Sequence, residues 1–107
     1  MRTPRAFIEQ AAFGKAVARA EQKLRAAGRV VRVRHVLEHD MDGTPVVWFR
    51  VVLPDASVTR HKLLEAIDDV SFRLRREIQP QTKWDVYPHF SFRSKSEQDS
   101  MQEPAWA

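Results

Sequence analysis

The chain of 107 residues contains no cysteine. That absence excludes disulfide scaffolds, thiolate zinc sites and cysteine nucleophiles, and it permits a reducing compartment. Glycine is scarce too: Gly14, Gly28 and Gly43 are the whole complement, and none falls at the centre of a strand pattern. The glycine-rich strand signatures of RNA-recognition motifs are therefore missing. No apolar run approaches the ~20 residues that span a bilayer. The opening "MRTPRAFIEQ" lacks the continuous apolar segment of a signal peptide, so the expected location is the cytoplasm. No catalytic, metal or nucleotide motif rises above chance, which leaves composition and pattern to carry the reading.

What is present fits one modest domain: 43% of residues are hydrophobic and 30% charged, enough for a single core at this length. The charge is unevenly placed. Residues 1–34 hold nine Lys/Arg against Glu9 and Glu21, a net +7, whereas residues 35–107 hold nine against twelve Asp/Glu, a net −3. A local excess of this kind steers a domain toward nucleic acid or an acidic protein.

Thr3-Pro4 offers a helix start and Gly28 a helix stop. Between them Phe13, Ala16, Val17, Ala20, Leu24 and Ala27 recur at helical spacing. Lys15, Arg19 and Lys23 form a parallel basic row, while Phe7 and Ile8 fall off the apolar stripe. From residue 29 to 40 alternation replaces that period. Val31, Val33, His35 and Leu37 point one way, and Arg32, Arg34, Val36 and Glu38 the other. Asp40-Met41-Asp42-Gly43 reads as a turn, and "TPVVWFRVVL" (residues 44–53) returns as the second strand of a hairpin. Its inner set is Val47, Phe49, Val51 and Leu53; Val46, Trp48, Arg50 and Val52 face outward. A second helix is predicted over about 59–79, with Leu63, Leu64, Ile67, Val70, Leu74 and Ile78 on its core stripe and Phe72 opposite. Pro80 ends it. Residues 84–93 read as a third strand, at a sheet edge because Pro88 cannot donate to a ladder, with Tyr87, His89, Ser91 and Arg93 outward.

The expected fold is α+β: an α-β-β-α-β order forming a two-layer sandwich, a three-stranded sheet with two helices on one face. One domain spans 1–95, and 96–107, polar apart from Trp106, is expected to be a flexible C-terminal tail. The outer sheet face would then gather Arg32, Arg34, Trp48, Arg50, Tyr87, His89 and Arg93, interleaving rings and cations as binders of single-stranded nucleic acid do. Phe72 with Trp106 forms a second candidate interface, and Lys15, Arg19 and Lys23 a basic patch.

In element order and hydrophobic pattern, residues 5–93 resemble the type II KH fold and, within it, the ribosome-binding factor A family. That resemblance implies topology alone, since the Gly-x-x-Gly loop of KH domains is absent and Val70-Ser71-Phe72 lacks a helix-kinking glycine. His35 and His39 are four apart on a strand, ~13 Å at ~3.3 Å per residue, too far to chelate, so no metal or cofactor is expected. Asp40-x-Asp42-Gly43 lacks the remaining ligands of a calcium loop. The first functional expectation is a non-enzymatic module that self-associates, as a homodimer for instance, or binds a partner protein, as a regulatory or antitoxin-like component would. The second is RNA binding through the basic and aromatic sheet face. The third is a small ribonuclease using His89, Tyr87 and Arg93.

Overall fold

In the computed structural model, which describes residues 2–107, the chain becomes helical directly after Pro4. One turn, α1 (Arg5–Ile8), is separated from α2 (Gln10–Ala26) by Glu9 at φ −110°, ψ 53°. The break lets Ala6 enter the core and leaves Ile8 at 68% exposure, which accounts for the off-stripe residues. Helix α2 closes in a Schellman motif. Gly28 takes φ 71°, its N–H donates to the Arg25 carbonyl and Arg29 N–H donates to the Leu24 carbonyl, each at 2.9 Å.

Strands β1 (Arg32–His39) and β2 (Pro45–Leu53) pair antiparallel across the predicted turn. The Asp40 carboxylate accepts from the N–H groups of Asp42 and Thr44, and Gly43 supplies the left-handed residue at φ 80°. Strand β3 (Tyr87–Ser94) lies parallel to β2, so the sheet is mixed, in the order β1-β2-β3. A parallel neighbour needs a long crossover, and α3 (Leu63–Ile78) provides it. Pro88 stands on an edge strand. At the opposite edge the Glu21 carboxylate accepts from Val33 N–H at 2.6 Å, which blunts β1 against further pairing.

Phe13, Val17, Ala20 and Leu24 of α2 share one core with Val70, Leu74 and Ile78 of α3 and with Val47, Phe49, Val51 and Leu53 of β2. Alternation along β2 therefore sorts its side chains as expected. Three boundaries differ. Helix α3 starts at Leu63, and Leu64 is 76% exposed; residues 59–62 form turns, so its core stripe begins only at Ala66 and Ile67. Trp84 is not in a strand. Pro80 restarts a helix as readily as it stops one, giving α4 (Pro80–Trp84) between Gln79 and Asp85, both left-handed. That turn carries Trp84 into the core, edge-on to Phe13 at 5.1 Å.

The third difference is the tail. Residues 96–107 are expected to be flexible, yet α5 (Lys95–Met101) follows β3 directly. Ser94 and Glu97 form a capping box, with Ser94 Oγ accepting from Glu97 N–H and the Glu97 carboxylate accepting from Ser94 N–H. Asp55 accepts from both the N–H and the hydroxyl of Ser96. A single turn at Pro104–Trp106 then buries Trp106 to 6% exposure. Local polar contacts and one anchoring ring order a segment whose apolar content is otherwise low. No helix among the described residues is long and apolar enough to cross a membrane.

Candidate nucleic-acid interface

Register places the outer sheet face in four tiers: Arg32, Val52 and Arg93; Arg34, Arg50 and Ser91; Val36, Trp48 and His89; Glu38, Val46 and Tyr87. The seven predicted residues of that face do share it, but not in one state. The Arg93 guanidinium covers the Trp106 ring at 4.3 Å and donates to Glu103 at 2.9 Å. Arg32 donates to the main-chain oxygen of Trp106 at 3.3 Å, and Arg34 to that of Ala107 at 2.8 Å. Arg34 also pairs with Glu21 at 3.1 Å, a partner the sequence did not announce because twelve residues of helix and loop separate the two. Three arginines are thus engaged by their own chain.

The other half of the face has no tail over it: His89 and Tyr87 are exposed, Trp48 is half-buried and Val46 is buried. Trp48 Nε1–H donates to Ser91 Oγ at 2.8 Å, and its ring stacks on His89 at 5.1 Å. Tyr87 is 52% exposed. Arg50 has no carboxylate partner among the described residues. With Arg93 turned toward Trp106 and Glu103, the ribonuclease arrangement of His89, Tyr87 and Arg93 lacks its phosphate clamp. Trp106, expected to form a second interface with Phe72, is occupied inside the chain; Phe72 is 62% exposed on α3.

The basic patch gains the most from the fold. Lys15, Arg19 and Lys23 line one wall of a groove of about 620 Å³ between α2 and α4, completed by Arg5 and Lys83, with Glu77 its one carboxylate and alanines and Trp84 as its floor. Arg5 lies over the Trp84 ring at 4.4 Å and pairs with Glu9 at 2.6 Å. Glu77 already binds Lys23 at 2.9 Å, and the hydrogen bond from that ammonium holds its carboxyl below the usual range. Lys15, Arg19 and Lys83 have no such partner among the described residues. Lys83 and Trp84 escaped the sequence reading because alternation assigned their surroundings to a strand.

The histidines that invite a metal reading are used in packing: His35 meets Phe13 edge-on at 5.3 Å, and His39 tilts against Phe7 at 5.0 Å. Among the described residues no three His, Asp or Glu side chains come together as a ligand set. What the surface can do is hold anions on one side and flat rings on the other. No family model matches this chain, and no curated protein is similar to it.

Proposed function

We propose that the protein is a small non-enzymatic module that binds RNA through its phosphate backbone, in the groove between α2 and α4. The observation that carries this reading is the groove itself: five cations around an alanine floor, of which Lys23 pairs with Glu77 and Arg5 with Glu9, while Lys15, Arg19 and Lys83 have no carboxylate partner among the described residues. Lysine and arginine rows of this kind bind phosphates by displacing condensed counterions, so affinity must fall with salt, at a slope of about −0.7 per neutralised phosphate for a single strand. Replacing Lys15, Arg19 and Lys83 together by alanine is expected to weaken binding of a labelled RNA and to flatten the salt slope by about 2. Fluorescence anisotropy at several salt concentrations measures both. An unchanged slope overturns the reading.

Self-association or capture of a partner protein, as in a regulatory or antitoxin-like component, is the second reading, and it is favoured by a different observation. Leu64 and Phe72, both strongly exposed on α3, are eight residues apart, ~12 Å along the helix and about 80° around it. Aromatic and aliphatic side chains so displayed anchor interfaces. If they do so here, Phe72→Ala lowers the mass found by light scattering while the circular dichroism stays the same; a native chain that is monomeric at every concentration removes the self-association form.

A further inference from the structure

We propose that the outer sheet face is a second RNA surface, for unpaired bases, and that residues 103–107 occupy one end of it in the manner of a bound nucleotide. The proposal rests on the RNA reading above and adds which form of RNA is taken and what competes for the surface.

The chemistry of the docked segment is the first ground. It presents a flat ring to a guanidinium, Trp106 under Arg93, and it presents oxygens to all three arginines, from Trp106, Ala107 and Glu103. A base joined to its phosphates makes the same two demands, a π-face to cover and oxygens to be held by fork-shaped donors. The second ground is what continues beyond it. Two tiers lie next along the sheet, one with Arg50, which has no carboxylate partner among the described residues, and one with Trp48 and His89; the exposed Tyr87 follows. Alternate residues on a strand are ~7 Å apart, so cationic and aromatic tiers repeat at that interval. The Trp48 ring is held by its hydrogen bond to Ser91 and by its stack on His89, interplanar angle 22°. A ring fixed before the ligand arrives loses little entropy on binding.

Such platforms reach bases only where these are unstacked, which selects single strands over duplexes. The groove between α2 and α4 reads phosphates and makes no such distinction. The tail sets how much of the platform is available: while it stays docked, Arg32 and Arg93 are held by it, and when it leaves, the surface lengthens by one ring position and two cations, Arg34 staying with Glu21.

The test compares a labelled single-stranded RNA with a fully paired RNA duplex of equal phosphate number, by anisotropy, on the full chain. Trp48→Ala and Tyr87→Ala are each expected to weaken the single strand roughly five- to hundredfold, the loss typical of a stacking platform, and to leave the duplex unchanged. Glu103→Ala with Trp106→Ala is expected to tighten the single strand and steepen its salt slope by about 1.4, since Arg32 and Arg93 become available while Arg34 stays with Glu21. Should the double variant lose its fold by circular dichroism, Glu103→Ala alone and the two platform variants decide. Single-strand affinity that ignores Trp48, Tyr87 and Glu103 overturns the proposal, and if the duplex still responds to Lys15 and Arg19 it does so without touching the groove reading. A native chain that binds neither RNA removes both.

Discussion

His35 lies on the inner side of β1, edge-on to Phe13, and burial holds its imidazole below the ordinary value of 6.5. The charged form is the one that burial disfavours. In the unfolded chain the same ring takes up a proton near pH 6.5, so below that pH the unfolded state binds more protons than the folded one. Stability is therefore expected to be full above pH 6.5 and to decline as pH falls from 6.5 toward the lowered folded value. Urea titrations across that window measure the slope, and His35→Phe, which keeps the aromatic contact, should remove it. The inward directions of His35 and Phe49 and the outward direction of Trp48 were legible from alternation alone. The burial of His35 was not, because nothing in a strand pattern says that Phe13 from a helix will cover that position.

At the scale of elements, the outcome depended on whether the governing signal was periodic or local. Helix α2 and strands β1 and β2 carry long, regular patterns with a glycine at each break, and those patterns place them. Helices α4 and α5 are too short to show a period, and each depends on a few side chains: Pro80 at the start of one, the Ser94 and Glu97 pair at the start of the other. A Ser-x-x-Glu spacing was visible at residues 94–97, but its polar surroundings, read by composition, pointed to a mobile tail. The capping box now makes a measurable difference. Ser94→Ala is expected to cost ~1 kcal/mol, within the range for lost N-caps, and to lower amide-exchange protection across Lys95–Met101 more than in α2. Equal loss in both helices would mean that the tail is not a separate unit.

For the whole molecule, the candidate site was legible in its residue types and not in its grouping. Seven residues were assigned to one sheet face, and register puts them there, yet the tail divides them into an engaged arginine row and an aromatic half with no tail over it. Side-chain direction follows from a strand's own alternation; occupancy depends on where a distant segment docks, which no local pattern encodes. The groove makes the same point in reverse, since Arg5 and Lys83 reach the Lys15 row only through the break after Ile8 and the left-handed corners around α4.

The mixed sheet also has a consequence for the protein as it is being made. Strand β2 has its antiparallel neighbour as soon as it is synthesised, but its parallel neighbour β3 begins at Tyr87. At about 5–20 residues per second the ribosome takes roughly 2–7 s to supply the intervening chain. For those seconds the strand that will end at the centre of the sheet is a bare hydrophobic edge, open to the same strand of a nascent neighbour. Arg50, in the middle of β2 between Phe49 and Val51, is the charge that discourages such pairing. The cation proposed to meet a phosphate in the finished protein thus has earlier work, keeping one growing chain from adhering to the next.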